Sequence, residues 1–322
     1  MRAVVITKHG DFSVLQVQER PAPALGPDQV RIKVHAAGVN FADTMARVGL
    51  YPDAPKPPCV VGYEVAGEII EGADTGARVI AGTRFGGYAD EVVVDARDTF
   101  ALPDDLSYEQ GAAIPVNYVT AYAALIRYGN VQRGERVLLH AAAGGVGIAA
   151  TQIAKHLGAE VWGTASPGKH DRIRANGVDH AVTYDARDLP QFDLVMDAIG
   201  GPSFKRSYKH LNPGGRLIAF GASAVMSGEK RDLVTAAKAA LRMPRFNLIK
   251  QMQESKAVIG LNALTLWDHA GTLAPWMEPL RELLDAGVIQ PVVSDAVPFD
   301  NAGEAHRIIA ERRNVGKVVL VP

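Results

Sequence analysis

The glycines between His140 and Ala150 are the residues of this chain that are best suited to binding a phosphate. The segment reads His140-Ala-Ala-Ala-Gly-Gly-Val-Gly-Ile-Ala-Ala150, with Gly144, Gly145, Val146 and Gly147 at its centre. Small residues let the backbone approach a pyrophosphate, and the free N–H groups of a helix start attract its charge. The spacing differs from the usual G-x-G-x-x-G, so a plain strand-to-helix turn is the alternative interpretation.

A second group of polar residues follows about 20 residues after this loop, where an NAD site usually carries Asp or Glu for the ribose 2′-hydroxyl. Gly163-Thr-Ala-Ser-Pro167 contains no carboxylate; Ser166, Lys169 and Tyr184 are found in this region instead. A hydroxyl, a cation and a phenol suit the 2′-phosphate of NADPH, which is a dianion that needs donors and positive charge. The sequence therefore favours NADPH as cofactor, and the alternative is that these residues are solvated at a helix start.

Candidate groups for the reaction itself are Asn40, Asp43 and Tyr51, with Tyr63 and Thr120 as further polar residues on the same side. A phenol is neutral at pH 7 and can donate a hydrogen bond to a developing enolate. Tyr51 is therefore the preferred donor, with Asn40 as a second donor and Asp43 as the residue that orients the loop. The alternatives are an aromatic wall with water as the proton source for Tyr51, and helix capping for Asn40 and Asp43.

The sequence predicts no metal site. A structural zinc needs four Cys or His ligands, whereas this chain has one cysteine, Cys59, and no pair of histidines spaced to share one helix face. Hydride transfer is the chemistry of the nicotinamide, and without a Lewis acid an acceptor that is already electrophilic fits best. We therefore expect a quinone, or a C=C bond conjugated to a carbonyl, as the substrate.

Alternating strands and helices must position the glycine loop. The predicted strands are 136–140, 159–164, 180–184, 193–197, 216–220 and 257–261. Six strands with helical crossovers predict a doubly wound α/β sheet, in which ligands bind at the carboxyl ends of the strands. Short strands separated by Gly and Pro precede this region. We predict a β-rich domain over residues 1–114, a dinucleotide-binding domain over 115–262, and a segment over 263–322 that returns to the first domain.

The whole chain resembles the zinc-free quinone oxidoreductases of the medium-chain dehydrogenase/reductase superfamily. Among the motifs that carry the resemblance are Ala37-Gly-Val-Asn-Phe-Ala-Asp43, Val61-Gly-Tyr-Glu-Val-Ala-Gly67, Pro115-Val-Asn-Tyr118 and Asn314-Val-Gly-Lys317. They look most like the branch of the synaptic vesicle amine transport protein homologues, within a wider zeta-crystallin-like group. The resemblance implies a GroES-like catalytic domain, a Rossmann domain, a cleft between them and a homodimer.

The resemblance also implies that Lys169 and Tyr184 contact the 2′-phosphate of NADPH. In the zinc enzymes of the superfamily, a ligand Cys stands near the position that Asn40 has here. In the related enoyl-thioester reductases, a tyrosine in the loop similar to that of Tyr51 is held to be the proton donor or substrate anchor. The further residues that we predict at the cofactor are Thr120, Gly200, Phe220, Gly221, Leu261, Asn314 and Lys317.

Bulk properties exclude several classes of function. The net charge is −1, from 34 basic and 35 acidic residues, so nucleic acid or an anionic membrane is not an expected partner. The longest apolar run is interrupted by His140, Thr151 and Gln152, which argues against a transmembrane helix. A single cysteine and no visible targeting signal favour the cytoplasm. The sixth predicted strand, 257–261, is expected at the edge of the sheet, where it would pair with a second copy.

The segment 222–256 is rich in Lys and Arg and also contains scattered large apolar residues. A crossover with a solvated basic face is the preferred interpretation, and a substrate lid or a weak membrane-surface contact is the alternative. An NADPH-dependent quinone or enone reductase is the function that the sequence favours. The alternatives are an enoyl-thioester reductase and a noncatalytic, membrane-associated NADPH-binding protein.

Overall fold

The computed structural model describes residues 1–225, 237–238 and 241–322. Its strands are β1 Arg2–Ile6, β2 Leu15–Glu19, β3 Gln29–Val39, β4 Glu64–Glu71, β5 Arg78–Gly82, β6 Glu91–Asp95, β7 Thr99–Ala101, β8 Arg136–Leu139, β9 Glu160–Thr164, β10 His180–Val182, β11 Phe192–Asp197, β12 Leu211–Ala219, β13 Ala257–Gly260, β14 Val293–Pro298 and β15 Lys317–Val321.

The described α-helices are α1 Phe41–Val48, α2 Tyr108–Gly111, α3 Pro115–Tyr122, α4 Gly145–His156, α5 His170–Ala175, α6 Pro202–Lys209, α7 Leu248–Glu254, α8 Ala263–Ala270, α9 Ala274–Asp285 and α10 Ala302–Ala310. A π-helical turn, Ala123–Tyr128, continues α3. Within the described ranges, no helix has the length and apolar character needed to cross a bilayer.

The predicted six-stranded parallel sheet is confirmed. Its strand order is β10-β9-β8-β11-β12-β13, and each neighbouring pair is parallel. Its central strand β8 reads Arg-Val-Leu-Leu, and the last three side chains are buried, as expected for a strand covered on both faces. After β10 the chain crosses to the other half of the sheet, so that β11 lies next to β8 and the strand order reverses between these two strands. At such a switch point, a crevice opens outside the carboxyl ends of the strands.

The second sheet has the order β14-β15-β3-β4-β5-β7, with β6 also paired to β3. The C-terminal strand β15 runs antiparallel to β3 and parallel to β14, so the last residues of the chain belong to the sheet built by its beginning. The helix α9, which precedes β14 and β15 in the chain, packs elsewhere. Its residues Trp276, Met277 and Leu280 are buried in the same core as α3 and α4.

The two sheets meet at the glycine loop. Gly144 and Gly316 form a parallel bridge, and the Gly316 N–H donates to the carbonyl oxygen of Ala143 at 2.8 Å. Gly316 directly precedes Lys317, the first residue of β15. The loop after β8 and the strand β15 are therefore held together by backbone contacts.

The basic segment 222–256 is described only in part, and Lys230 and Arg231 lie outside the described residues. The side chains of Leu241, Leu248 and Met252 are exposed. The preferred interpretation of a solvated crossover and its alternatives remain predictions.

Candidate functional site

The glycine loop is built so that two of its glycines are packed and one is open. A Cβ on Gly147 would lie 2.5 Å from the Ala141 carbonyl oxygen, and one on Gly145 would lie 2.5 Å from Asn117 Nδ2. At Gly144, a Cβ would meet only the Ala141 oxygen, at 3.4 Å. Gly147 therefore lets α4 approach the backbone of the loop after β8, while the Gly144 position faces open space.

The first turn of α4 presents unpaired backbone donors at this opening. The helix begins at Gly145 after an extended N-cap at Gly144, with φ −77° and ψ 168°. The N–H groups of the first helical turn, which includes Val146, have no partner within the helix. Together with the positive end of the helix dipole, they make this turn suited to an anionic group such as a pyrophosphate.

The candidates for the 2′-phosphate lie beside this loop. Ser166 is exposed and precedes a short 3₁₀ turn without a capping hydrogen bond from its side chain, and Tyr184 is 41% exposed. Lys169 Nζ donates to the carbonyl oxygens of Arg312 at 2.6 Å and Asn314 at 2.7 Å. Burial lowers the pKa of Lys169. Lys169 therefore has a structural bond to the segment before β15, which the sequence analysis did not foresee.

The other predicted cofactor residues occupy the carboxyl ends of the following strands. Gly200, after β11, has a φ of 81°, which favours glycine. A Cβ on Gly221, after β12, would lie 3.0 Å from the Ala198 carbonyl oxygen. Phe220 is half-buried beside it, and Leu261 is buried just after β13.

Two predicted residues use their polar groups within the protein itself. The Thr120 hydroxyl is buried in α3 and donates to the carbonyl oxygen of Val116 at 2.6 Å. The Asn314 amide donates to the carbonyl oxygen of Gly316 at 2.8 Å. Both side chains therefore shape the backbone near the glycine loop.

A buried group of Asn40, Glu64 and Lys317 lies on the other side of the Gly316 contact. Lys317 Nζ donates to Asn40 Oδ1 at 2.7 Å and also to Glu64 Oε1, and the Asn40 amide donates to the same Glu64 oxygen at 2.9 Å. Glu64 Oε2 accepts from the Val116 N–H at 2.7 Å. Glu64 is fully buried and Lys317 is 3% exposed. The ammonium of Lys317 is thus engaged inside the protein.

Asp43 holds the loop that carries Asn40. Its carboxylate accepts from the N–H groups of Asn40 at 2.8 Å and Gly62 at 3.1 Å, and from the Tyr88 hydroxyl at 3.0 Å. The side chain is fully buried. Burial raises the pKa of Asp43 to about 7, although these donors and Lys317 oppose the shift. Asp43 therefore fixes the backbone at Asn40 and Gly62 through hydrogen bonds.

Tyr51 belongs to an aromatic group with Tyr63, which directly precedes Glu64, and with Phe85. Its ring meets that of Tyr63 edge to face, with centroids 6.4 Å apart, and Tyr63 also contacts Phe85 at 5.2 Å. Tyr51 is half-buried, and burial raises its pKa, so its hydroxyl stays protonated. Next to Phe85, the Arg84 guanidinium forms a two-point ion pair with Asp268 of α8, at 2.7 Å and 3.0 Å.

The backbone contact at Gly316 brings the glycine loop and the oriented Asn40 amide to one junction of the two sheets. The roles of Glu64, Asn117 and Tyr88 were not predicted from the sequence. Glu64 could have been noticed, because a carboxylate at the start of an apolar strand needs a partner when it is buried. Within the described residues, no three His, Cys, Asp or Glu side chains converge as a metal site would require.

Comparison with known families identifies both halves of the chain. Residues 26–104 match the alcohol dehydrogenase GroES-like domain, and residues 176–320 match the family described as zinc-binding dehydrogenase. The human synaptic vesicle membrane protein VAT-1 homolog is 36% identical over 340 aligned positions, which cover 100% of this chain and 86% of the relative.

Solved structures agree with this match. The quinone oxidoreductase from Thermus thermophilus, also solved in complex with NADPH, has a TM-score of 0.82 and 30% identity, with 100% of both chains covered. The Escherichia coli quinone oxidoreductase complexed with NADPH has a TM-score of 0.84 and 28% identity, again with 100% of both chains covered. The chain belongs to the medium-chain dehydrogenase/reductase superfamily, in the group that includes the VAT-1 homologues and the quinone oxidoreductases.

Proposed function

We propose that this protein transfers a hydride from NADPH to a quinone or to an α,β-unsaturated carbonyl, without zinc. The observation that carries the proposal is the contact between Gly144 and Gly316. It joins the phosphate-binding loop to the strand whose first residue, Lys317, bonds Asn40. Cofactor and substrate groups would therefore meet across one short backbone contact.

The residues present fit a dinucleotide phosphate. Gly144 leaves open space where the backbone must approach a pyrophosphate, and the first turn of α4 supplies N–H donors. Ser166, Lys169 and Tyr184 would hold the 2′-phosphate, since the two carbonyl bonds of Lys169 use two of its three donors. When bound, NADPH supplies the hydride and so the chemistry of the reaction.

The protein's own groups would handle the charge that hydride addition leaves on oxygen. Tyr51 keeps its proton and can donate a hydrogen bond to that oxygen, and Asn40 would be a second donor. Lys317 and Glu64 fix the direction of the Asn40 amide, because one only donates and the other only accepts. Asp43 holds the backbone below Asn40.

Cofactor titration tests the first half of the proposal. We expect NADPH to bind at least tenfold more tightly than NADH, about 1.4 kcal/mol, in a fluorescence titration of the purified protein. Lys169→Ala should reduce this ratio. The ratio is the appropriate measure, because loss of the bonds to Arg312 and Asn314 would affect both cofactors alike. Equal affinities in the parent protein would exclude the assignment.

An acceptor panel with Tyr51→Phe tests the second half. Steady NADPH oxidation with a quinone supports the proposal, oxidation with crotonyl-CoA supports the enoyl-thioester alternative, and binding without turnover supports a noncatalytic role. Loss of one good donor costs roughly 10²-fold in kcat in well-studied oxyanion sites. Parental rates in Tyr51→Phe, on quinones and enones alike, would leave its hydroxyl without a role.

We also propose that the protein is a cytoplasmic homodimer. The strand β13 lies at the edge of the parallel sheet, with β12 on one side only. An edge strand offers a row of backbone donors and acceptors to a second chain. Pairing of two β13 strands would join the two sheets across a two-fold axis.

A further inference from the structure

A line of polar side chains crosses the parallel sheet beneath the glycine loop. Thr164 ends β9, His140 follows β8, Asp197 ends β11 and Ser207 lies on α6. Thr164, Asp197 and Ser207 are each at most 1% exposed. Polar groups in such a place must find their hydrogen bonds inside the protein.

The hydrogen bonds of this line run in one direction. The Ser207 hydroxyl donates to Asp197 Oδ2 at 2.7 Å, so its oxygen is the acceptor for His140 Nε2 at 3.1 Å. His140 then carries its hydrogen on Nε2, and its Nδ1 accepts from the Thr164 hydroxyl at 3.1 Å. The Thr164 oxygen in turn accepts from the Ala141 N–H at 3.2 Å.

Both ends of the line hold loops that follow strands of the sheet. Ala141 is the first residue of the glycine loop proper, and its φ of 55° is unusual for a residue with a side chain. At the other end, Asp197 Oδ1 accepts from the N–H groups of Ile199 at 2.7 Å and Gly200 at 3.3 Å. The line therefore joins the loop after β8 to the loop after β11.

The charges around His140 are compatible with a neutral ring. Burial lowers the pKa of His140, as do the charges of Arg206 and His210, whereas Asp197 raises it. His140 Nε2 lies 3.9 Å from the nearer Asp197 oxygen, and the Ser207 hydroxyl bonds both groups.

We propose that His140, held as the neutral Nε2–H tautomer, is a positioning residue that ties the glycine loop to the Gly200 loop and so sets the affinity for NADPH. Only this neutral tautomer bonds both neighbours in the observed directions, because its Nδ1 accepts from Thr164 while its Nε2 donates to Ser207. The inference rests on the cofactor binding proposed above. His140 directly precedes the glycine loop, and both of its ring nitrogens are engaged within the protein.

Thr164→Val breaks the line with little change of shape, because a methyl group replaces the hydroxyl. It leaves the Ala141 N–H and His140 Nδ1 without their partner, which in buried sites costs enough to weaken binding roughly tenfold. Thr164 also bonds the Tyr184 side chain, so a loss of affinity is assigned to His140 only if Ser207→Ala, on the other side of His140, weakens binding as well.

Thr151→Val is the matched control. Thr151 is also fully buried, but its hydroxyl donates to the carbonyl oxygen of Gly147 within α4. Thr164→Ser should restore the parental affinity.

The experiment measures the Kd for NADPH and the ¹⁵N shifts of the histidine rings in all four proteins. Of these four proteins, only Thr164→Val should raise the Kd for NADPH, about tenfold and at unchanged kcat. In the parent protein, the His140 ring should carry its hydrogen on Nε2. His140→Gln assigns the signal. Ser207→Ala should weaken binding in the same way, and it replaces Thr164→Val if that variant does not fold.

The outcomes separate the two proposals. A parent protein that does not bind NADPH contradicts the proposed function, and the ring shifts still report the tautomer. A parent that binds NADPH, with Thr164→Val and Ser207→Ala as tight as Thr151→Val, overturns the role of His140. A protonated Nδ1 in the parent also overturns it.

Discussion

Replacement of Gly147 by alanine should lower the free energy of unfolding much more than replacement of Gly144. A Cβ at Gly147 would lie 2.5 Å from the Ala141 oxygen and 2.6 Å from the Ala142 Cα. Ordinary contacts of this kind lie about 3.5–4.0 Å apart, so the helix and the loop would have to separate by about 1 Å. The loop cannot retreat alone, because the Ala142 N–H donates to the Thr164 carbonyl oxygen at 3.0 Å.

The cost can be estimated from these contacts. Overpacking of a core typically costs about 1–3 kcal/mol, and a clash with backbone on both sides belongs at the upper end. Alanine regains about 1 kcal/mol of helix propensity. We therefore expect Gly147→Ala to lose about 2 kcal/mol of unfolding free energy. Gly144→Ala meets only one atom, at 3.4 Å, and should lose less than about 1 kcal/mol as a poorer N-cap.

The two variants should also differ in binding. Gly144 faces the open side of the loop, so a methyl group there should weaken NADPH binding although the fold is kept. Urea titration followed by cofactor titration measures both quantities on the same proteins. Equal unfolding midpoints for Gly147→Ala and the parent would refute the packing argument. Unchanged NADPH affinity in Gly144→Ala would refute the proposal that Gly144 faces the bound NADPH.

Further expectations concern the buried charges and the dimer. Lys317→Met leaves the Glu64 carboxylate buried without its cation and should cost about 3–5 kcal/mol in urea unfolding, of which Glu64→Gln should restore a part; no loss in the single variant contradicts the pairing. Asp43 has a folded pKa of about 7, above its ordinary value of 3.8, so the folded state binds its proton more tightly than the unfolded state does. The stability that this proton contributes is lost as the pH rises from the ordinary pKa to the folded one. Asp43→Asn should therefore gain stability relative to the parent between about pH 4 and 7; a constant difference excludes the raised pKa. Light scattering at micromolar concentration should report a dimer, and a monomer would count against the β13 interface.

Local patterns were enough to predict the parallel sheet. The strand at Val137, the small residues of the loop and the apolar face of α4 lie within a short stretch, so each can be recognised from its own neighbours. The start of β12 shows the limit of this approach. The predicted strand began at Arg216, whereas β12 begins at Leu211, which pairs with Phe192 of β11. The register then shifts, and the next paired residue is Arg216, so Pro213 and Gly214 lie in an irregularity inside the strand; β13 pairs only from Arg216 onward.

The buried group around Glu64 could not be predicted in the same way. Lys317 lies 253 residues away along the chain, and no periodicity indicates which cation a buried carboxylate will meet. The pairing becomes visible only when β15 is placed beside β3. Lys169 illustrates the same limit, because the carbonyls that it bonds belong to a segment 143 and 145 residues later.

The pairing of Lys317 with Glu64 also fixes the orientation of the Asn40 amide, which we propose as a donor to the substrate. A lysine only donates and a carboxylate only accepts, so the amide oxygen must face Lys317 and the amide nitrogen must face Glu64. The two charges are engaged with each other, so in the proposed reaction the donors would be neutral groups: the Asn40 amide N–H that Glu64 does not accept, and the Tyr51 hydroxyl. Under the proposed function, such donors would favour an acceptor that develops negative charge only during the reaction, because they would gain most in the transition state and little in the ground state.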